Sequence, residues 1–397
     1  MKSPWSNTKY AVALSLYLGA AEFIRSGFYV GFFPLYGLER LHLSLSYIGF
    51  ITTLHYLTEA MAKTSIVLLL RNIKFGYSLI VSATIVIGCL VGFIYLPQAY
   101  YLAIGVIWGL AMAPLWPRIA AFLTHIAKEG YRGRSVTYAW LIIAPIIGLG
   151  GFGIGFLAKN DLTYAVLILQ LVALFLLGLG ILLAKLDFPE VGPKHKERVV
   201  FIKYLKIVSI LVVPAFLQNL VPHLLTSTLF PYIKLRDFST LELGMYILPG
   251  VLAFALLTQP ASRYADQRNP AFLMIASIAF SALGFGLIAL VPLRWILFPA
   301  SLALGAAVAL LIPGWNSIIV RVLPQNEKGE GWSVISTISG LAIAAGPFIG
   351  SLAWDLIGPS GPFILGFILL LFLLLYYLIV ILPYINRLEK DNPIKST

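Results

Sequence analysis

Long apolar runs alternate with short polar breaks along the whole chain. The runs fall near 9–37, 44–70, 75–96, 98–127, 134–158, 161–186, 203–233, 239–262, 270–292, 294–322, 331–357 and 360–386. Each is long enough to cross a hydrocarbon core as a helix, which takes about 20 apolar residues. The runs are continuous rather than alternating, which argues against a membrane barrel of strands. The pattern predicts an all-α membrane protein with twelve transmembrane helices in two pseudo-symmetric six-helix bundles.

Composition agrees with that pattern. Of the 397 residues, 60% are hydrophobic and 11% are charged, whereas a soluble domain carries about a quarter of its residues as charges. Little length remains for a soluble domain. The net charge of +12 is spread over short loops and reports orientation, not nucleic-acid binding. With the N-terminus inside, the cytoplasmic connections hold 20 Lys and Arg and the outer ones five: Arg40, Lys159, Lys234, Arg236 and Arg294. Positive charge concentrates on the cytoplasmic side, so both termini are expected in the cytoplasm of a cell membrane. The first run is too long and too charged for a cleavable signal peptide.

The longest polar stretch, Asp187–Arg198, combines proline, glycine and mixed charge, as inter-domain linkers do. It predicts bundles at 1–186 and 203–397 joined by a cytoplasmic linker at 187–202. The two halves repeat. Pro114–Leu–Trp116, Arg132–Gly–Arg–Ser135 and Ala144–Pro145–Ile–Ile–Gly148 return as Pro313–Gly–Trp315, Glu330–Gly–Trp–Ser333 and Gly346–Pro347–Phe–Ile–Gly350, at offsets of 199, 198 and 202 residues. Three ordered matches at nearly one offset imply a duplicated six-helix unit.

An ionisable side chain at mid-membrane costs about 2.5–3.5 kcal/mol on insertion scales and normally lines a cavity. Five such groups stand here: Glu22, Arg25, Glu59, Lys63 and Arg118. Glu22 with Arg25 and Glu59 with Lys63 are spaced to share a helix face. Two readings fit them. They are ion pairs that hold helices together, or a site joining proton coupling (Glu22, Arg25, Glu59) to recognition of an anionic or sugar headgroup (Lys63, Arg118). Burial favours a neutral carboxyl and a nearby cation favours the ionised one. A carboxylate whose basic partner moves away therefore changes its proton affinity. His55, one turn before Glu59, and His223 are weaker coupling candidates. Trp116, Trp140, Trp315 and Trp332 are either packing residues or stacking surfaces for a substrate, with Gln218, Asn219 and Asn316 as hydrogen-bond donors. Pro145, Gly148, Gly346, Pro347 and Gly350 are candidate hinges or close-packing positions. Cys89 reads as packing, and no residue spacing resembles a metal site or a phosphate loop.

Two six-helix halves, the central linker and the loop Arg263–Tyr–Ala–Asp266–Gln–Arg268 resemble the major facilitator superfamily. The resemblance implies that Arg263, Asp266 and Arg268 form a gating loop. The counterpart Arg71–Asn–Ile–Lys74–Phe–Gly76 lacks the acidic residue. Glu22–Phe–Ile–Arg25, His55–Tyr–Leu–Thr–Glu59, Ala113–Pro–Leu–Trp116, Tyr138–Ala–Trp140 and Pro313–Gly–Trp–Asn316 are more narrowly similar to the lipoteichoic-acid glycolipid flippases of Gram-positive bacteria. Glu59 stands where that family is expected to carry Asp, and Lys63 and Arg118 depart from its pattern. The resemblance implies a proton-coupled exporter or flippase of an amphiphile, a glycolipid in the first instance. A multidrug or small-solute exporter is the alternative. Expected partners are membrane lipids, the small amphiphilic substrate and protons, with no cofactor beyond the proton gradient and a monomeric state. The loops are too short for a membrane-bound transferase.

Overall fold

The computed structural model describes residues 6–69, 73–128, 132–185, 205, 207–291, 293–323 and 328–391. The expected linker at 187–202 lies outside the described residues.

The architecture is all helix. In chain order the helices are α1 (Thr8–Ser26), α2 (Phe33–Glu39), α3 (Leu45–Leu69), α4 (Phe75–Tyr95), α5 (Tyr101–Met112), α6 (Leu115–His125), α7 (Arg132–Gly148), α8 (Ile154–Asn160) and α9 (Leu162–Ala184). They continue as α10 (Ser209–His223), α11 (Leu229–Leu235), α12 (Thr240–Gln267), α13 (Pro270–Leu290), α14 (Leu297–Val322), α15 (Lys328–Ile357), α16 (Gly361–Tyr376) and α17 (Leu382–Asp391). Polar breaks between apolar runs supply the caps that end and restart these helices. Asn7 accepts from the Tyr10 N–H, Asp161 from the Thr163 and Tyr164 N–H groups, and Asn269 from the Ala271 N–H. Ser239 and Glu242 form a reciprocal capping box at the start of α12.

Nine helices among the described residues are long and apolar enough to cross a membrane, and α10 is a shorter apolar helix. The expected runs 9–37, 44–70 and 203–233 are not among the nine. The first two carry Glu22, Arg25, Glu59 and Lys63, which lower their hydropathy. The third is broken by a turn at 224–228, between α10 and α11. The protein is thus multi-pass and helical.

The chain forms two compact units, Met1–Lys196 with Thr226–Leu235, and Glu197–Leu225 with Arg236–Thr397. In the first, α1 and α2 are joined by a π-helical turn at Gly27–Phe32, and α7 and α8 by another at Leu149–Gly153. The two turns pack on each other through glycine. A Cβ on Gly31 would lie 2.6 Å from the Gly155 nitrogen, and one on Gly150 would lie 2.5 Å from the Phe23 oxygen. Ser26 Oγ donates to the Ile147 carbonyl at 3.0 Å across the same contact. Wide turns of this kind are frequent at functional sites, and Glu22 and Arg25 lie in the helical turns before the first of them. In the second unit α14 packs against α12 and α13, with Ser277 Oγ donating to the Ala307 carbonyl at 2.7 Å.

Candidate functional site: a buried ion network in the first unit

Helices α1 and α3 carry the network. Arg25, in the last turn of α1, extends one guanidinium nitrogen to Glu22 on its own helix and another to Glu59 on α3. The Nη1 to Glu59 Oε2 distance is 2.6 Å. Glu59 uses its other oxygen, Oε1, to accept from Lys63 Nζ at 3.1 Å. The Arg25 guanidinium also lies over the Tyr56 ring, 5.1 Å from its centroid, a cation–π contact that supports a partly desolvated charge. Glu59 is only 7% exposed. Its side chain and those of Glu22 and Arg25 are 9%, 13% and 17% exposed, against 41% for Lys63. In the alternation anion, cation, anion, cation, Arg25 and Glu59 are each paired on two sides and Glu22 and Lys63 on one. Charges taken this far out of water need such pairing to persist.

Of the sequence candidates, Glu22, Arg25, Glu59 and Lys63 therefore converge. Arg118 does not join them. Its Nη2 donates to the Ile73 carbonyl at 2.9 Å and its guanidinium lies over the Phe75 ring at 5.3 Å. That places it beyond the end of α3, and the ten residues from Glu59 to Leu69 span about 15 Å of helix. Arg118 thus has loop-holding geometry in place of a contact with the network. Trp116 and Trp140 meet, with ring centroids 5.1 Å apart at 53°, and Trp140 is exposed.

In the second unit, Gln218 and Asn219 lie on α10, Trp315 and Asn316 on α14, and Trp332 on α15. Asn219 Nδ2 is engaged by the Ala215 carbonyl and by Ser339 Oγ at 3.1 Å. Trp315 and Trp332 are half-buried and Asn316 is exposed. Gly346 and Gly350 face the end of α10 at very close range, against His223 and the Leu224 carbonyl, and Pro347 lies between them inside α15. Pro145 lies inside α7, three residues before Gly148. A Cβ on Gly148 would meet nothing within 4 Å, so Gly150 is the close-packing residue there. Arg263 and Arg268 are exposed at the end of α12, and the Asp266 side chain lies outside the described set.

Two contributors escaped the sequence reading. Tyr56, three residues before Glu59, was detectable from helical spacing. Arg321, which donates to the Arg268 carbonyl at 2.9 Å, was detectable from the internal duplication.

The model of the Major Facilitator Superfamily matches this chain over residues 16–298 and 251–396. The proton-coupled antiporter flippase LtaA of Staphylococcus aureus (strain USA300) is 24% identical over 365 residues, covering 88% of each chain. The LtaA of strain MSSA476 matches at 24% over 367 residues, with the same coverage. Among solved structures, a bacterial homolog of the human lysosomal transporter Spinster, inward-facing and unoccupied, superposes with a TM-score of 0.73 at 13% identity. It covers 93% of this chain and 96% of that one. The nucleoside transporter NupG gives 0.73 at 11% identity, over 94% and 98%. With matches that together span nearly its whole length, this multi-pass helical chain belongs to the major facilitator superfamily and is a transporter, not an enzyme.

Proposed function

We propose that the protein is a proton-coupled exporter or flippase that moves an amphiphile, a glycolipid, from the inner to the outer leaflet of the cell membrane. It works as twelve spans in two six-helix halves with both termini in the cytoplasm. The observation that carries this reading is the shared guanidinium of Arg25, held between Glu22 and Glu59. In a low-dielectric interior a carboxyl that loses its cationic partner gains proton affinity. A movement of α1 against α3 that leaves Arg25 on one carboxylate alone would let the other take up a proton, and the reverse movement would release it. Lys63, the most exposed member, is the one placed to meet a headgroup, and the Trp116–Trp140 pair offers a stacking surface for a sugar ring. The similarity to a proton-coupled antiporter flippase supports this reading.

Proteoliposomes carrying a fluorescent glycolipid test it. Flipping is read as accessibility to an external quencher, with and without a pH gradient, for wild type, Glu22→Gln and Glu59→Gln. The expected result is gradient-accelerated flipping that loses its acceleration in both variants. A wild type that leaves the glycolipid in place while a pH gradient drives dye or drug across would replace this reading with a small-solute exporter.

A further inference from the structure

Beside the ion network lies a second polar group of residues that the mechanism above does not use. Tyr29, His55 and Trp108 are all fully buried. Their rings pack together: Tyr29 on His55 at 4.5 Å, Tyr29 against Trp108 at 5.2 Å, and His55 against Trp108 at 6.0 Å. Gly109 permits this, since it lets α5 approach the His55 carbonyl on α3 at a distance no side chain would allow.

The surroundings are Phe28, Phe33 and Phe93, where three more phenylalanines would serve packing alone. Instead the cluster buries polar atoms. Tyr29 Oη and Trp108 Nε1 have no hydrogen-bond partner among the described residues. His55 has the Gly105 backbone beside its ring, which serves at most one of its two nitrogens. Each unmatched buried polar group keeps the full penalty of its lost hydration. Native proteins meet such groups with ordered water or use them chemically. The contrast with other buried tyrosines is direct: Tyr17 donates to the Leu79 carbonyl at 2.6 Å and Tyr101 to the Phe93 carbonyl at 2.8 Å.

We propose that Tyr29, His55 and Trp108 form a buried water-binding site, and that its water connects Glu59 by hydrogen bonds toward the end of α3 that begins at Leu45. His55 stands one helical turn from Glu59, on the same face. The other ionisable groups around the cluster are Arg25 and Tyr56, which border the ion network, and Cys89 from α4. In the relay, water gives a proton to one His55 nitrogen as the other nitrogen gives one up toward Glu59. The ring stays neutral and changes only its tautomer. The water site stands on geometry alone, and its use as a relay rests on the proton-coupled reading above.

Millisecond radiolytic labelling of the purified full chain tests the site, because hydroxyl radicals formed from bound water oxidise the side chains beside it. Tyr29 and Trp108 are expected to label several-fold faster than Tyr17 and Tyr101, and His55→Phe is expected to abolish the excess. Tyr29→Phe, which removes a single oxygen, provides a second variant that should lower Trp108 labelling. Labelling of Tyr29 and Trp108 at the rate of Tyr17 and Tyr101, or an excess that persists in both variants, overturns the site. In the proteoliposome assay His55→Phe should lose gradient-driven acceleration while keeping gradient-free movement, and unchanged acceleration overturns the relay. The labelling result holds whatever the transported substrate proves to be.

Discussion

Arg118 and Arg321, 203 residues apart in sequence, make the same contact in their own units. Arg118 Nη2 donates to the Ile73 carbonyl at 2.9 Å, just after α3, and Arg321 Nη2 donates to the Arg268 carbonyl at 2.9 Å, just after α12. Arg321 Nη2 also reaches the Ala265 carbonyl at 3.4 Å. The carbonyls at the end of a helix lack intrahelical donors, and a guanidinium carries several N–H groups in a fixed fork. Each arginine thus ties a loop to the helix that bears it.

Arg118→Ala and Arg321→Ala should each lower stability by about 1.5 kcal/mol, the low end for charged hydrogen bonds because both contacts are partly solvated. Substrate affinity should stay unchanged. Thermal unfolding in detergent and the KM for transport separate the two effects. A KM that rises in Arg118→Ala with unchanged unfolding would return Arg118 to the substrate site.

Arg25 is the centre of the ion network, and its removal leaves Glu22 and Glu59 facing each other without their shared cation. Loss of one partner from a buried charge pair costs about 3–5 kcal/mol. Arg25→Ala should therefore be the most destabilising single change in the network, read as a lower unfolding temperature and poor recovery from the membrane. Arg25→Met combined with Glu22→Gln and Glu59→Gln should regain most of that stability, since the one charge left without its partner is Lys63, the most exposed member of the network. The combined variant should show no response to a pH gradient. Recovery of gradient-driven transport along with stability would remove the network from the coupling mechanism.

The sequence carried the helical class and the charged pairs of the ion network because each leaves a local mark. Apolar runs register over about 20 residues, and the pairs Glu22–Arg25 and Glu59–Lys63 show their spacing directly. The pairing of Arg25 with Glu59 needed two helices brought together, yet mid-membrane charge left few other partners. Arg118 stands apart from the other four charges for a physical reason: an arginine stem is long enough to reach a loop from within an apolar helix, so its position in the sequence did not fix the depth of its charge. The break of the run 203–233 at 224–228 was hidden because Thr226, Ser227 and Thr228 are small and uncharged and apolar residues resume at Leu229. The π-helical turns were equally silent, since glycine marks both close packing and flexibility.

Outside the membrane, Asp161 offers a pH test. It precedes α9 and accepts from the Thr163 N–H at 2.7 Å and from the Tyr164 N–H. The Thr163 backbone hydrogen bond, first of all, holds its carboxyl below the usual carboxylate range. A group depressed in the folded state stabilises above its unfolded pKa, about 4 for Asp, and loses that contribution as pH falls through the folded value. The wild type should thus hold an advantage in unfolding temperature over Asp161→Asn that is constant from neutral pH to about 5 and fades below about pH 4. An advantage that grows on acidification would contradict the cap.

Glycine positions separate packing from hinging. Gly350 faces the Leu224 carbonyl and Gly346 the His223 Cβ, at ranges that leave no space for a methyl group. A backbone carbonyl cannot rotate away as a side chain can, so Gly350→Ala must push α15 off the end of α10. Overpacking of this kind costs about 1–3 kcal/mol, and the loss should appear in unfolding temperature before any effect on transport is considered. Gly148 is the opposite case. Its added Cβ meets nothing within 4 Å, and alanine in place of glycine inside a helix gains roughly 0.5–1 kcal/mol. Gly148→Ala should therefore leave stability equal or higher. If Gly148 works as a hinge beside the π-helical turn, the same variant should slow transport turnover while KM and unfolding stay level. Unchanged turnover would leave flexibility at that turn to Gly150 and Gly151, whose backbone lies inside the π-helical segment itself.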